Sequence, residues 1–334
     1  MKVGFVGLGL IGFKRANSLP NDVNIIFGVD PSQTAREKFE KRFNCEVYNE
    51  LNEELLKKVD AIFICTIHEF LAPLACLSIS KSLHTFVEKP GAINHKSILK
   101  IKKEFEKKNN ICLSFGFNHR FHPSFLFLKK YIEDNNLSNQ IRTVRGNYGH
   151  GGRKGYGSEW RMDPKKSGGG ELLDQGSHLI DLLIYMTGKD FEVEYAKLRN
   201  IFWGGEVEDN ANIILKSTDE KIFANFNASW TEWKNNFIFE LFTDDIQFSI
   251  KGLGGSYGIE SLTIYEMGKN LGPPKTTIFE YPGTDTSWEV ESSLFINNIK
   301  NDNYSSKSLN DAIKLHAIVE YIYKNSKCSC QEAH

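Results

Sequence analysis

Net charge is almost missing from this chain of 334 residues: 41 Lys and Arg stand against 42 Asp and Glu, a formal charge of −1. A balanced chain offers no broad basic field, so neither nucleic acid nor an anionic membrane is expected as a partner. Long apolar runs are missing too, and no stretch is long enough to span a bilayer. The first residues enter directly into a strand-like KVGFVG, without an apolar segment and cleavage site, so no signal peptide is expected. Cysteine is sparse: Cys45, Cys65, Cys76, Cys112, Cys328 and Cys330. Cys65 and Cys112 fall in apolar, strand-like runs, as buried thiols do, and Cys328 and Cys330 fall in a polar tail. No pair is spaced with histidines as in a zinc finger, so no metal site is expected, and a cytoplasmic location fits this usage.

What is present is ordinary for a globular protein, with 40% hydrophobic and 25% charged residues. The length accommodates two domains. In the opening third, short β-branched runs (Lys2–Val6, Ile25–Asp30, Ala61–Thr66, Thr85–Glu88, Ile111–Phe117) alternate with helical patterns (Thr34–Phe43, Glu69–Lys81, Lys96–Lys108). Nearly continuous apolar strands indicate burial on both faces, as in a parallel sheet. The alternation predicts a doubly wound α/β fold.

Within that pattern FVGLGLIG places Gly7, Gly9 and Gly12 between the first strand and the first helix. The first glycine permits the turn, the second lets a pyrophosphate approach the backbone, and the third lets helix and strand pack closely. The free N–H groups of the helix start then face the phosphates. The loop residues Gly7, Gly9, Leu10, Ile11 and Gly12 are therefore candidate cofactor contacts. Asp30 ends the second strand, where a carboxylate accepts from an adenosine ribose and repels a 2′-phosphate. That favours NAD over NADP, although Arg36 and Lys38 are close enough in sequence to receive the phosphate. The alternative is that Asp30, before Pro31 and Ser32, simply opens a turn.

Further on, TFVEKPGAINHKS begins at Thr85, and SGGGELLDQGSHLIDLLIYMTG runs from Ser167 to Gly188. Together with the glycine loop, and with DAIKLHAIVEYIYKNS near the C-terminus, these stretches resemble the Gfo/Idh/MocA oxidoreductases over nearly the whole chain. The resemblance implies a Rossmann domain (1–120), then an α/β domain with a large, mostly antiparallel open sheet (121–334), used for substrate binding and oligomer contacts. The last helix is a candidate to pack back on the first domain. The sequence supports the second sheet independently: Ala211–Lys216, Lys221–Ser229, Phe237–Thr243, Ile246–Ile250 and Leu262–Glu266 are β-rich, and TDDI at Thr243 reads as a hairpin turn. One stretch departs from the family. Where members carry a Thr-Pro-Asn-like turn and then a histidine, this chain has CTIHEFLAPLA, with Ile67, His68 and Leu71 in those places. Thr66 and His68 remain candidate cofactor contacts, but His68 reads equally as a cap for the helix near Glu69. Glu88 and Lys89 complete the cofactor set.

Hydride exchange with a secondary alcohol needs a group to move the hydroxyl proton and a group to support the developing oxyanion. Asp174 and His178 are spaced i, i+4 on one helix face. A histidine passes protons near neutrality, and Lys89 ends a parallel strand where such sheets bind ligands. The resemblance implies that Lys89, Asp174 and His178 form the catalytic set. His178 is assigned as acid–base, Lys89 as the group polarising the oxygen, and Asp174 as the orienting and substrate-binding partner. Asp181 is expected to be structural, bonding backbone or an arginine. Asn118 and Arg120 in FGFNHRFHP sit where the family often contacts ligand, with the roles of His119 and His122 left open. The glycine-rich segment from Gly149 interleaves Arg153, Tyr156, Trp160 and Arg161, suited to a polyhydroxylated substrate; its cations tilt the reading toward an anionic one, such as a nucleotide sugar. The alternative for this segment is a surface lid or interface arm. The expectation is an NAD-dependent dehydrogenase of a sugar, inositol or nucleotide-linked sugar, acting as a homo-oligomer (dimer or tetramer). An NAD-retaining glycosidase or internal-redox enzyme, and a non-enzymatic dinucleotide sensor, are the competing readings.

Overall fold

The structure is a computed structural model that describes residues 1–326 and 329–330. Cys328 lies outside the described residues, as does the side chain of Cys330. The chain forms two compact units. One comprises Met1–Asn118, Lys165–Gly168 and Trp288–His316; the other comprises His119–Pro164, Gly169–Ser287 and the chain from Ala317. Among the described residues no helix is long and apolar enough to cross a membrane.

The first unit is built on strands β1 (Lys2–Val6), β2 (Asn24–Val29), β3 (Glu46–Tyr48), β4 (Ala61–Ile64), β5 (His84–Glu88) and β6 (Leu113–Gly116). They pair in parallel in the order β3-β2-β1-β4-β5-β6. The order reverses between β1 and β4, the switch point at which such sheets open a crevice outside the strands' carboxyl ends. Helices Leu10–Asn17, Gln33–Phe43, His68–Ser80 and His95–Phe105 alternate with the strands. Ser32 caps the second by accepting from Ala35 N, and Asn44 closes it in the left-handed conformation; Asn94 caps the fourth through Ser97 N. The register sets Phe5, Phe63 and Phe86 side by side on β1, β4 and β5. Their rings stack at 4.9 and 5.1 Å, and Phe295 meets the latter two edge-on. Each such pair adds about 0.5–1.5 kcal/mol beyond its buried area.

The second unit carries β7 (Thr143–Gly149), β8 (Phe191–Asn200), β9 (Asn210–Ser217), β10 (Phe223–Ser229), β11 (Asn236–Phe242), β12 (Ile246–Lys251), β13 (Glu260–Glu266), β14 (Lys275–Tyr281) and β15 (Ser329–Cys330). The sheet order is β14-β13-β12-β11-β7-β10-β9-β8-β15. Pairing is antiparallel except for β7 with β10 and β8 with β15. The TDDI turn joins β11 to β12, with Thr243 N bonded to Ile246 O at 2.8 Å. Helices Pro123–Asp134 and Ser177–Thr187 pack on one face, where Phe125 meets Phe237 and Phe239. Helix Ser177–Thr187 is preceded directly by a π-helical turn, Leu172–Gly176. The face that carries Asp174 is therefore not a plain α-helical face, and the i, i+4 reading of Asp174 and His178 holds along the sequence but across a wider turn.

Candidate active site

The cofactor residues expected from sequence gather at one edge of the first sheet. Gly7 follows β1, Asp30 follows β2, Thr66 lies just past β4, and Lys89 follows β5. These are four neighbouring strands in the order β2-β1-β4-β5. Gly7 has φ +90°, and a Cβ there would lie 2.5 Å from Cys65 O. A Cβ on Gly12 would lie 1.9 Å from Gly7 O, so strand and helix touch backbone to backbone. Gly9 differs: a Cβ would meet nothing within 4 Å. It is the N-cap residue of helix Leu10–Asn17 and supplies no side-chain cap, and Leu10 beside it is 83% exposed. Fold packing thus explains Gly7 and Gly12 but leaves open space over Gly9 and an uncapped helix start, the donor set and room that a pyrophosphate requires.

Asp30 serves both roles considered for it. Oδ1 accepts from Ser32 N at 2.8 Å and opens the turn, while Oδ2 accepts from Leu8 N at 2.8 Å and holds the glycine loop. Each oxygen keeps a second lone pair for a ribose hydroxyl. Arg36 does not stand ready for a phosphate with its whole fork: Nη1 donates to the Asp30 and Pro31 carbonyls at 2.7 and 2.9 Å. The Thr66 hydroxyl donates to Ile67 O at 3.1 Å. His68 is not a helix cap, because the helix starts at His68 after an uncapped Ile67. Its ring is buried, and Nδ1 donates to Ser167 O at 2.8 Å. The Glu88 carboxylate turns inward. It pairs with fully buried Arg15, which also pairs with Glu291 and lies over the Phe86 and Trp288 rings. Glu88 is thus a structural anchor, and of EKP it is half-buried Lys89 that remains at the strand end. His316 Nε2 donates to Pro90 O at 2.8 Å and fixes the turn that follows.

The remaining candidates belong to the second unit, apart from Asn118, which closes the first and is buried. Arg120 was expected to contact substrate. Instead it is buried and committed to Asp181, with Nε to Oδ2 at 2.8 Å and a second bond from Nη2 to Oδ1. The glycine-rich segment is a folded loop with single turns at Tyr156–Ser158 and Trp160–Met162. Tyr156 does not face outward; it is packed with Met162, Val207, Trp203 and Trp230. Exposed Arg153 pairs with Glu159 at 2.7 Å. Arg161 lies over the Trp160 ring and reaches both Glu159 and Asp174 at 3.5 Å. Both arginines of the loop thus reach carboxylates, with Glu159 shared between them.

The entry to the Asp174–His178 helix is locked by a group that sequence reading missed. A Cβ on Gly170 would lie 2.0 Å from Glu208 O, so only glycine allows this approach. Glu208 Oε1 accepts from Gly170 N at 3.2 Å, Leu172 N at 3.1 Å and the Tyr323 hydroxyl at 2.8 Å. Burial pushes the Glu208 carboxyl up to about 7, against these three donors, which hold it back. Asp174 and His178 are both buried, at 9% and 4% exposure. His178 lies face to face with His119, ring centroids 3.8 Å apart.

The glycine loop at the switch point of the first sheet is the arrangement that binds a dinucleotide in doubly wound folds. The comparisons with known proteins agree. Residues 1–117 match the model for the oxidoreductase family, NAD-binding Rossmann fold, and residues 125–257 match the GFO/IDH/MocA C-terminal domain. The chain belongs to the GFO/IDH/MocA oxidoreductase family, and its first unit is an NAD-binding Rossmann domain. Glucose-6-phosphate 3-dehydrogenase of Bacillus subtilis is 26% identical over 265 residues, 76% of this chain and 72% of that one. Myo-inositol 2-dehydrogenase of Thermotoga maritima is 25% identical over 202 residues, 59% of this chain and only 58% of that one. A levoglucosan dehydrogenase solved in complex with NADH superimposes with a TM-score of 0.84 at 19% identity, covering 98% of both chains. At that identity the likeness is one of fold.

Proposed function

We propose that this protein is an NAD-dependent dehydrogenase that exchanges a hydride with a secondary hydroxyl of a sugar, inositol or nucleotide-linked sugar. The carrying observation is the open space at Gly9 over an uncapped helix start, at a strand edge that also presents Asp30 and Lys89. Gly7, Gly9, Leu10, Ile11 and Gly12 would hold the pyrophosphate, Asp30 the adenosine ribose, and Thr66 the nicotinamide side. Bound NAD supplies the hydride acceptor. His178 takes the hydroxyl proton in oxidation and returns it in reduction. Lys89 donates to the reacting oxygen and offsets its growing negative charge. Asp174 orients the substrate, with Arg161 at 3.5 Å steadying its carboxylate. The substrate class follows the relatives, whose names specify a sugar phosphate and an inositol.

We place the enzyme in the cytoplasm, consistent with four free thiols at Cys45, Cys65, Cys76 and Cys112, and as a homo-oligomer. By strand register, Tyr195, Phe223 and Ile278 share the sheet face opposite the helices. They are 53%, 45% and 61% exposed, an apolar surface suited to a second copy.

The test is a screen for NADH formation with NAD and sugars, inositols, sugar phosphates and nucleotide sugars, beside Lys89→Ala and His178→Ala. Turnover is expected with a member of one of these classes, falling by about 10²–10⁴-fold in His178→Ala and about 10²–10³-fold in Lys89→Ala. Turnover that survives in both variants refutes the assignment. Tightly held NAD that does not exchange, with no net turnover on any polyol, points to the internal-redox chemistry instead.

A further inference from the structure

The assignment of His178 leaves a second imidazole unused. His119, in the single turn Asn118–Phe121, lies against His178 with ring planes 20° apart, and both rings are buried. His119 is itself held in place. Its Nε2 is 3.0 Å from the Tyr148 hydroxyl on β7, and the Phe237 ring meets it edge-on. Tyr148 is also hydrogen-bonded to the Tyr257 hydroxyl, which accepts from Gln175 Nε2 at 3.4 Å. A charged His119 donates from both ring nitrogens, and the Tyr148 hydroxyl oxygen stands where its Nε2–H would donate.

We propose that His119 is a positioning residue for the reaction: it sets the ring plane of His178 and takes the first proton of the stacked pair, leaving His178 uncharged to accept the proton of the substrate hydroxyl. The inference rests on the reading of His178 as the acid–base. Two imidazolium ions at this separation repel strongly in a buried site, so the pair takes one proton readily and a second only at lower pH. Nε2 of His119 has a hydroxyl oxygen to receive its N–H, which favours the proton on that ring.

The other groups facing the pair leave this ordering intact. Burial raises both phenols, Tyr148 well above the usual range and Tyr257 to about 12, so both act as neutral hydroxyls where imidazoles titrate. Asp174 and Glu171, at the start of the His178 helix, add negative charge that favours a first proton. Arg120, in the same turn as His119, is balanced by Asp181. His122 stands edge-on to His119, with Glu260 of β13 at 2.9 Å from its Nδ1 and Asp285 at 3.8 Å from its Nε2.

The direct test is an NMR titration of the full chain with labelled histidines, assigned through His178→Ala. In His119→Phe, which keeps a stacked ring but no titrating group, His178 is expected to take its proton about one pH unit or more higher than in the wild type. Tyr148→Phe keeps the stack and removes the acceptor of His119; the His178 titration is expected to move in the same direction by less. With the substrate found by the NADH screen, the acid limb of kcat/KM should move upward with the NMR curve. A His178 titration unchanged in both variants, or a rate lowered equally at every pH, overturns the inference. Undiminished turnover in His178→Ala refutes the acid–base reading itself, whatever the two rings do to each other.

Discussion

Replacing Glu208 by glutamine isolates one buried carboxyl and gives its pH dependence a sign. Glu208 is fully buried, and burial raises its carboxyl from 4.5 to about 7, against hydrogen bonds from Tyr323, Gly170 and Leu172 that favour the charged form. The folded-state value lies above the unfolded one. The stability contributed is therefore fully present below about 4.5 and is lost as pH rises through about 7. A difference of this size amounts to about 3 kcal/mol at most. Glutamine is an isostere of the protonated acid, and its Oε1 can receive the same three donors, all of which converge on Oε1 in the wild type. Urea unfolding followed by tryptophan fluorescence should show the wild type losing stability relative to Glu208→Gln across that interval, by about 2–3 kcal/mol. Above it, the variant should match or exceed the wild type. Curves that run parallel throughout would refute the claim that Glu208 holds a proton in the fold, and with it the account of how the start of the His178 helix is fixed.

Other expectations follow from single contacts. Gly9→Ala should leave thermal stability unchanged, because its Cβ meets nothing, yet weaken NAD binding tenfold or more by calorimetry; Gly12→Ala should lower stability as well, by about 1–3 kcal/mol, because its Cβ falls on Gly7 O. Arg15→Met strands the buried carboxylates of Glu88 and Glu291 and should cost about 3–5 kcal/mol in urea unfolding. Asp30→Ala should cut the ratio of kcat/KM for NAD over NADP by at least tenfold in steady-state kinetics, since the carboxylate that repels a 2′-phosphate is gone.

The first unit was legible because its signals are local. Each strand of the parallel sheet except β3 is a short apolar run, and the glycine loop sits where strand gives way to helix. β3, only Glu46–Tyr48, is too short and polar to register. In the second unit the misses have separate causes. β7 carries Gly146 and Gly149, which weaken a strand pattern; the first faces Leu179 and Phe226 at contact distance. β8 is interrupted by a register shift between Val193 and Tyr195, and β14 is an edge strand in which Lys275, Thr276 and Glu280 are exposed. Side-chain partners proved harder still. Arg120 and Glu88 bear charges that read as ligand contacts, but their counter-ions Asp181 and Arg15 lie 61 and 73 residues away. Glu208 has its hydroxyl donor 115 residues downstream. No local pattern in the chain announces such pairs, and the stack of His119 on His178 is of the same kind.

The π turn at Leu172–Gly176 makes the alignment of Asp174 with His178 a matter of chain length as well as residue type. A π turn is an α-helix carrying one surplus residue. Deleting Gln175 would let the segment close into an ordinary α-helix, with Asp174 and His178 three positions apart in place of four and about 60° apart around the axis. Both residues would survive in the sequence with their relative direction changed. A one-codon deletion would thus re-aim this pair while every recognisable motif residue is still present.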